Sequence, residues 1–279
     1  MFKKKIIPEF ILELRRRFIY RDVFEKMYPF NWILDVKRDN FNFGRDDGFP
    51  FVQSDSKKIY FLKHYRHYRA LNAACFTAVE MDLRSPHRYV TRENKIWGTV
   101  ERKENEIPAE IPFFVKKGDT VADIGASCGN FSISVVENAK HIYLFECDEN
   151  WNEPLHKTFE KYKDKVTIVN KYVSDADGEN SVTLDTFFKD REINFIKADV
   201  EGYEQQLLNG AKNLLSTRSD MKCSICTYHK PQDAQDFENF FKELGYKTYF
   251  TDGHLFCPIN NVPQNTSFLR KGVIRAWRE

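Results

Sequence analysis

From about residue 115 onward, short apolar runs alternate with longer stretches of helical spacing, and this alternation restricts the fold more than any other feature. Strands that alternate with helices of about 10–15 residues form βαβ units with parallel strands. We therefore predict an α/β domain with a mostly parallel central sheet and helices on both faces. The strand-like runs are "TVADIG", "HIYLFE", "VTIVNKYV", "INFIKADV", "KCSICTYH", "KTYFT" and "GVIRAW".

The first third of the chain has a different pattern. "PEFILELRRRFIYRDVFEKMY" has an apolar stripe at helical spacing, and "FNFGRDDGFPFV" carries turn residues. A second helix is predicted to begin after the capping candidates Ser54 and Ser56 and to run through "KKIYFLKHYRHYRALNAACFTAVEMDL". These patterns predict a mostly helical N-terminal region over residues 1–105, attached to an α/β domain over residues 106–279.

The net charge of +2 is unevenly distributed along the chain. Residues 1–105 hold 22 Lys and Arg against 14 Asp and Glu, whereas residues 106–279 hold 21 against 27. A basic front and an acidic back indicate two regions with different partners. The basic front favours an anionic acceptor or partner, and the helix in "MFKKK…LRRRF" allows contact with an anionic membrane surface.

Hydropathy and cysteine usage indicate a cytoplasmic protein. No apolar stretch approaches the ~20 residues that a membrane-spanning helix needs, and the start lacks the apolar core of a signal peptide. The six cysteines form no regular framework, which favours free thiols in a reducing compartment. Cys223 and Cys226 lie in a predicted strand, where an offset of three directs them to opposite faces, so they form neither a redox pair nor a zinc site.

The first candidate site is "VADIGASCGNFS", in which Asp123, Gly125 and Gly129 lie between a strand and a helix. Glycines there let a ligand approach the backbone, but the spacing differs from the dinucleotide pattern G-x-G-x-x-G. Asp123 would repel a pyrophosphate and attract an ammonium or sulfonium group, both of which S-adenosylmethionine carries. Glu146 follows the next strand, at the usual distance for an acid that binds a ribose hydroxyl. The alternative is a tight turn with a capping Asp.

The second candidate site is "INFIKADVEGYEQQLLNGA", and with it the chain resembles the FkbM family of methyltransferases. The similar stretches are "VKKGDTVADIGASCGNFSI", "LFECDENW", "VSDADGE", "VTLDTF", "INFIKADVEGYEQQLLNGAKNLL" and "TYHKPQD", which span about residues 115–233. The resemblance implies a Rossmann-like class I methyltransferase fold that binds S-adenosylmethionine at the carboxyl ends of its central strands. It places Asp123, Gly125, Ala126 and Gly129 around the methionine part, Glu146 at the ribose, and Ser174 and Asp175 near the adenine.

Asp199 and Glu201 would then leave the fourth strand beside the first, at the switch point where ligands bind in such sheets. One carboxylate would hold the methionine ammonium group, while the other orients the acceptor. The alternative is N-capping of the following helix, which explains one acid more easily than two. His229 follows the next strand, and either it or Asp199 is the candidate general base; otherwise His229 only bonds its loop.

These features predict an S-adenosylmethionine-dependent O-methyltransferase that acts on a hydroxyl of a carbohydrate or related metabolite, with a bacterial surface-glycan intermediate as the leading acceptor class. We predict no metal and no nucleic-acid partner, although "KHYRHYRA" interleaves basic and aromatic residues. The alternatives are a nicotinamide-dependent oxidoreductase on a similar sheet and a non-catalytic scaffold that kept the fold.

Overall fold

The structure is a computed structural model that describes residues 42–54, 57–64, 115–250, 255–256 and 269–278. Its strands in chain order are β1 (Asn42–Asp46), β2 (Phe49–Ser54), β3 (Lys57–Tyr60), β4 (Thr120–Ile124), β5 (His141–Phe145), β6 (Val166–Val169), β7 (Tyr172–Val173), β8 (Ser181–Val182), β9 (Phe195–Ala198), β10 (Met221–Cys226), β11 (Lys247–Phe250), β12 (Leu255–Phe256), β13 (Leu269–Arg270) and β14 (Val273–Arg278). Its α-helices are α1 (Asn130–Val135), α2 (Asn152–Thr158), α3 (Leu184–Phe187), α4 (Glu204–Asn209), α5 (Lys212–Thr217) and α6 (Asp233–Glu243).

Seven strands form the central sheet, in the order β11-β14-β10-β9-β4-β5-β6. Neighbouring strands from β10 to β6 are parallel, while β14 is antiparallel to both β10 and β11. The order reverses between β4 and β9, so the carboxyl ends of these two strands form the switch point of a doubly wound sheet. The predicted class I methyltransferase fold, with a mostly parallel sheet and helices on both faces, is confirmed.

Two hydrophobic cores cover the two faces of this sheet. Every residue of β4, β9 and β10 is buried, as expected for strands that are covered on both sides. On one face, α1 and α2 contribute Phe131 and Leu155; on the other, α4 and α6 contribute Leu207 and Phe237. No described helix is long and apolar enough to cross a membrane.

The two cysteines of the C-x-x-C stretch lie in different cores. Cys226 packs on the α1 and α2 face, whereas Cys223 packs on the α4 and α6 face, and both are free thiols. Their predicted separation to opposite sides of β10 is therefore confirmed. A buried, apolar setting raises the pKa of the Cys223 thiol, which makes it inert.

The stretch "YEQQLLNGAKNLLSTR", whose apolar spacing suits one continuous helix, is two short helices, α4 and α5. A Cβ atom at Gly210 would lie 2.0 Å from the carbonyl oxygen of Ser174, so the chain passes close to a neighbouring loop there. The Asp185 carboxylate then accepts hydrogen bonds from the N–H groups of Asn213 and Leu214, at 3.1 and 2.6 Å, and so caps α5. These contacts, which are distant in sequence, break the helix.

The N-terminal part contains a three-stranded antiparallel sheet, β1-β2-β3. Asp47 and Gly48 have positive φ angles of 49° and 82° and form the turn predicted between β1 and β2. The helix predicted from Ser54 and Ser56 onward is wrong at its start, because Lys57–Tyr60 is β3. Ile59 joins the core beside α2, and the Tyr60 N–H donates to Thr158 Oγ1 at 3.0 Å. The other predicted N-terminal helical segments and the boundary at residue 105 lie outside the described residues.

The chain passes close to the residue after β9 just beyond the carboxyl end of β4, at Gly125. This residue has a φ of +71°, and a Cβ atom there would lie 1.9 Å from the carbonyl oxygen of Asp199. The turn is also fixed from the side of β5, because the N–H groups of Gly125 and Ala126 both donate to the Phe145 carbonyl. Only glycine satisfies both the left-handed backbone and the contact with Asp199.

The exchange of Gly125 for alanine tests this close contact. We expect Gly125→Ala to lower the free energy of unfolding by about 3 kcal/mol or more, because backbone strain and a clash with Asp199 add. Gly245→Ala is the matched control, since Gly245 has a φ of +79° but nothing within 4 Å of its added Cβ. In urea titrations, Gly245→Ala should lower the free energy of unfolding only by the cost of backbone strain, about 1–2 kcal/mol. Equal losses in the two variants would contradict the contact.

Candidate active site

A cavity of about 920 Å³ opens at the carboxyl ends of β4, β5 and β9. This volume lies within the range of about 300–1,000 Å³ that is usual for small-molecule sites. Six of the predicted site residues line it: Gly125, Ala126, Glu146, Ser174, Asp199 and Glu201. Asp123, Gly129, Asp175 and His229 do not line it, and the roles predicted for all of these residues stay predictions.

Asp123 is fully buried and forms an ion pair with Lys197, which lies directly across from it on β9. The Lys197 ammonium group lies 3.0 Å from Asp123 Oδ1 and donates to the Gly125 carbonyl at 2.7 Å. The Ser132 hydroxyl donates to the other oxygen of Asp123 at 2.7 Å. Asp123 thus acts on the cavity through Lys197 and the glycine turn.

Lys197 stays charged in this buried position. Burial alone lowers the pKa of its ammonium group, but the carboxylates of Asp123 and Asp199 more than offset that effect and raise the pKa. Lys197 lines the cavity, and the sequence analysis did not identify it. The available signal was a lysine in the otherwise apolar run "INFIKADV".

Glu146 holds together the two loops that meet at the end of β5. One oxygen accepts the Ser127 N–H at 2.7 Å, and the other accepts the Asp148 N–H at 2.9 Å. Ser127 has a φ of 49°, an uncommon value for a residue with a side chain, so the bond to Glu146 stabilises a strained turn. The carboxylate also faces the cavity, where its binding of a ribose stays a prediction.

The other predicted residues near this end of the cavity have local partners. Gly129 begins α1 with a φ of +74°, and a Cβ atom there would lie 2.6 Å from the Phe159 ring. Gly129 therefore lets α1 pack against Phe159. Ser174 lines the cavity and donates through its hydroxyl to Asp175 Oδ1 at 3.2 Å.

A cluster of three carboxylates surrounds His229 beyond the end of β9. His229 Nε2 lies 3.6 Å from Asp199 Oδ1 and 3.6 Å from Glu201 Oε2, while Nδ1 lies 2.9 Å from Glu204 Oε1. The Tyr228 hydroxyl donates to the Asp199 carboxylate at 3.1 Å. The three residues predicted as catalytic, Asp199, Glu201 and His229, are therefore close together.

The charges of this cluster favour protonated His229. Burial alone lowers the pKa of its imidazole, but Glu204, Asp199 and Glu201 outweigh burial and raise it. Tyr228 remains a neutral donor, since burial and nearby Cys226 and Asp199 raise the pKa of its hydroxyl. Oxygens of Asp199 and Glu204 and a ring nitrogen of His229 also lie within 4.8 Å of one another, a spacing that a bound cation could bridge.

Glu204 is the second residue that the sequence analysis missed. Its side chain is only 1% exposed, and Oε1 also accepts the Val200 N–H at 3.0 Å. The sequence pattern placed it on the first turn of a helix, where an acid is ordinarily explained by the helix dipole. Its contact with His229, which is distant in sequence, is visible only in the fold.

Two exposed tyrosines lie at the mouth of the cavity. Tyr172 is 59% exposed and Tyr203 is 64% exposed, and both line the opening. Tyr203 immediately precedes α4, close to Glu201. Exposed aromatic rings beside convergent polar groups are typical of a ligand-binding surface.

The buried ion pair gives a prediction with an internal control. Lys197→Met and Lys222→Met each leave a buried carboxylate without its cation, because Lys222 pairs with Asp119 at 3.5 Å. Both should lower the free energy of unfolding by about 3–5 kcal/mol. Only Lys197 touches the glycine turn, so only Lys197→Met should weaken the binding of S-adenosylhomocysteine, by about tenfold or more. Equal affinities of the two variants in calorimetry would refute this role of Lys197.

Comparison with known proteins gives one family match and several distant structural likenesses. The family model described as "Methyltransferase FkbM domain" matches residues 171–248. No curated protein matches the sequence. A structure of methyltransferase FkbM from Methylobacillus flagellatus KT is 17% identical, with a TM-score of 0.46, over 73% of this chain and 54% of that one. This chain therefore spans about half the length of that protein.

Two further structures are similar at the same distant level. Precorrin-6y C5,15-methyltransferase from Geobacter metallireducens GS-15 is 14% identical, with a TM-score of 0.40, over 58% of this chain and 82% of that one. A protein from Streptococcus mutans is described as a methyltransferase and was solved in complex with S-adenosylhomocysteine (SAH). It is 18% identical, with a TM-score of 0.40, over 59% of this chain and 90% of that one. The family match covers Asp199, Glu204 and His229 and confirms the predicted resemblance to FkbM methyltransferases over residues 171–248.

Proposed function

We propose that this protein transfers a methyl group from S-adenosylmethionine to a hydroxyl oxygen of a carbohydrate or a related metabolite. The observation that carries the proposal is the convergence of Asp199, Glu201 and His229 beside the cavity at the switch point of the sheet. Methyl transfer to a hydroxyl needs a group that accepts the hydroxyl proton and groups that orient the oxygen. This cluster offers both.

The residues around the cavity fit the methyl donor. Glu146, Asp199 and Glu201 present carboxylates to the cavity, which favours a ligand with ammonium and sulfonium groups. The turn at Gly125 brings the backbone to the ligand, and Lys197 holds that turn from behind. When bound there, S-adenosylmethionine supplies an electrophilic methyl group, and the protein aligns the acceptor with it.

The rim of the cavity supports a carbohydrate acceptor. Tyr172 and Tyr203 offer exposed rings that can cover the apolar face of a sugar, while Asn180 and Ser181 offer hydrogen bonds to its hydroxyls. Lys171 also lines the opening and would favour an anionic acceptor. A phosphorylated or nucleotide-linked glycan intermediate, made in the cytoplasm or at the inner face of the membrane, fits these groups.

The main rival, a nicotinamide-dependent oxidoreductase, fits this cavity less well. Its pyrophosphate would meet the carboxylates of Glu146, Asp199 and Glu201, and the turn after β4 lacks the G-x-G-x-x-G spacing. A scaffold that had lost catalysis would have no need to keep a buried His229–Glu204 contact.

Calorimetric titration with S-adenosylhomocysteine, with NAD as the control, tests the donor site. We expect micromolar affinity for the nucleoside and none for NAD, because the cavity favours a cationic amino-acid group over a pyrophosphate. Tighter binding of NAD than of S-adenosylhomocysteine would overturn the proposed function. Absence of binding by either would favour the scaffold.

Substitution of Tyr203 tests the acceptor class. We expect transfer of radioactive methyl groups to one or more members of a panel of nucleotide sugars and oligosaccharides. Tyr203→Ala should then raise the KM for the sugar about tenfold, as expected for the loss of one stacking contact, and leave the KM for S-adenosylmethionine unchanged. Tyr203→Phe keeps the ring and should behave like the wild type. Transfer to phenols or RNA but to no sugar would contradict a carbohydrate acceptor.

A further inference from the structure

We propose that Asp199, Glu204 and His229 form a binding site for a small divalent cation at the wall of the cavity. An oxygen of each carboxylate and a ring nitrogen of the histidine lie within 4.8 Å of one another. The three residues follow β9, begin α4 and follow β10, so only the fold brings them together. The site therefore departs from the sequence-based prediction of no metal, which could draw only on spacing along the chain.

Glu204 and His229 hold buried polar atoms that the protein itself does not satisfy. The Glu204 side chain is 1% exposed, and its Oε2 has no hydrogen-bond partner. Both ring nitrogens of His229 are likewise buried without a hydrogen-bond partner. Buried polar groups in native proteins nearly always have a partner, because desolvation of an unpaired group is costly. A bound cation would supply that partner to both residues.

The closest approach of the two residues has the length expected for neighbouring metal ligands. His229 Nδ1 lies 2.9 Å from Glu204 Oε1, yet no hydrogen bond joins these atoms. A nitrogen and an oxygen that both bear lone pairs repel each other at this distance unless a hydrogen or a cation lies between them. Ligand atoms about 2.1 Å from an octahedral cation are about 3.0 Å apart when they are neighbours in its shell.

The donor set indicates the class of cation. Two carboxylates favour Mg²⁺ or Mn²⁺, and an imidazole favours transition metals, so Mn²⁺ suits all three ligands. The two carboxylates and a neutral imidazole carry a charge of −2, which a divalent cation balances. Without a cation, the carboxylates favour protonation of His229, and a bound cation would displace that proton.

Contacts outside the set already orient the three ligands. The Tyr228 hydroxyl donates to Asp199 at 3.1 Å, and the Val200 N–H donates to Glu204 Oε1 at 3.0 Å. Arg270 donates to the carbonyl oxygen of His229 at 2.6 Å and so fixes the loop that carries the ring. Such outer partners are typical of metal sites, where they fix the direction of each ligand.

The position of the site connects it with the acceptor, a use that rests on the proposed function. Asp199 and Glu201 line the cavity, so the cation would lie at its wall. An octahedral cation with three protein ligands keeps about three positions for water or for acceptor oxygens. A hydroxyl bound there would lose its proton more readily, and Glu201, which is 90% exposed, would be left to accept it.

Titration of the full chain with Mn²⁺ alone, after treatment with a chelator, tests the site without a substrate. Electron paramagnetic resonance should show about one ion bound per chain, with a coupling to one imidazole nitrogen that His229→Asn removes. Glu204→Gln should weaken Mn²⁺ binding about 100-fold or more, because loss of an outer partner alone costs 10–100-fold. Glu201→Gln is the matched control and should bind Mn²⁺ within about threefold of the wild type.

The outcomes separate the cation site from the proposed function. Absence of Mn²⁺ binding at millimolar concentration would overturn the site and leave water as the partner of these buried atoms. Binding without the nitrogen coupling, or an equal loss of affinity in Glu201→Gln, would overturn it too. If Glu204→Gln does not fold, unchanged Mn²⁺ affinity in Asp199→Asn would overturn it. Normal Mn²⁺ binding by a chain that fails to bind S-adenosylhomocysteine would support the site and contradict only the proposed function.

Discussion

The candidate active site depends on the buried ion pair between Asp123 and Lys197. The two residues are paired in the register of β4 and β9, the strands on either side of the switch point. Because the ammonium group also donates to the Gly125 carbonyl, the pair joins three things that a ligand would need in fixed positions: two strand ends and one turn. Removal of one member would leave a bare charge in the core, which costs far more than the pair itself contributes.

Backbone strain at the same edge of the sheet is likewise maintained by contacts with surrounding residues. Ser127 and Glu201 both have a left-handed backbone, with φ angles of 49° and 53°, and both line the cavity. Such conformations persist where surrounding contacts fix the chain, and here Glu146 bonds the Ser127 N–H. The left-handed turn at Glu201 leaves its carboxylate near His229 although the side chain is largely exposed.

Much of the fold could be predicted from the sequence, because the apolar runs fix which segments are buried strands. The nearness of Asp199 and His229 was also predictable, since the ends of neighbouring parallel strands lie at one edge. The partners of these groups could not be predicted from the sequence. Asp123 was expected to face a cationic ligand, but its nearest cation is Lys197, and no spacing rule gives the register that pairs them. Likewise, Lys57–Tyr60 begins a stretch that was predicted as a helix, and pairing with β2 makes it a strand.

Residues 199–204 show how one short segment can serve several purposes. Its three carboxylates have different surroundings: Asp199 accepts the Tyr228 hydroxyl, Glu201 is exposed at the mouth, and Glu204 is buried against His229. A turn with positive φ angles at Glu201 and Gly202 separates them, so that Asp199 and Glu204 approach the same imidazole from two sides. Simple capping of α4 would need one acid in this segment. Three acids that converge on one histidine exceed what capping requires and are consistent with the proposed site for a cationic donor.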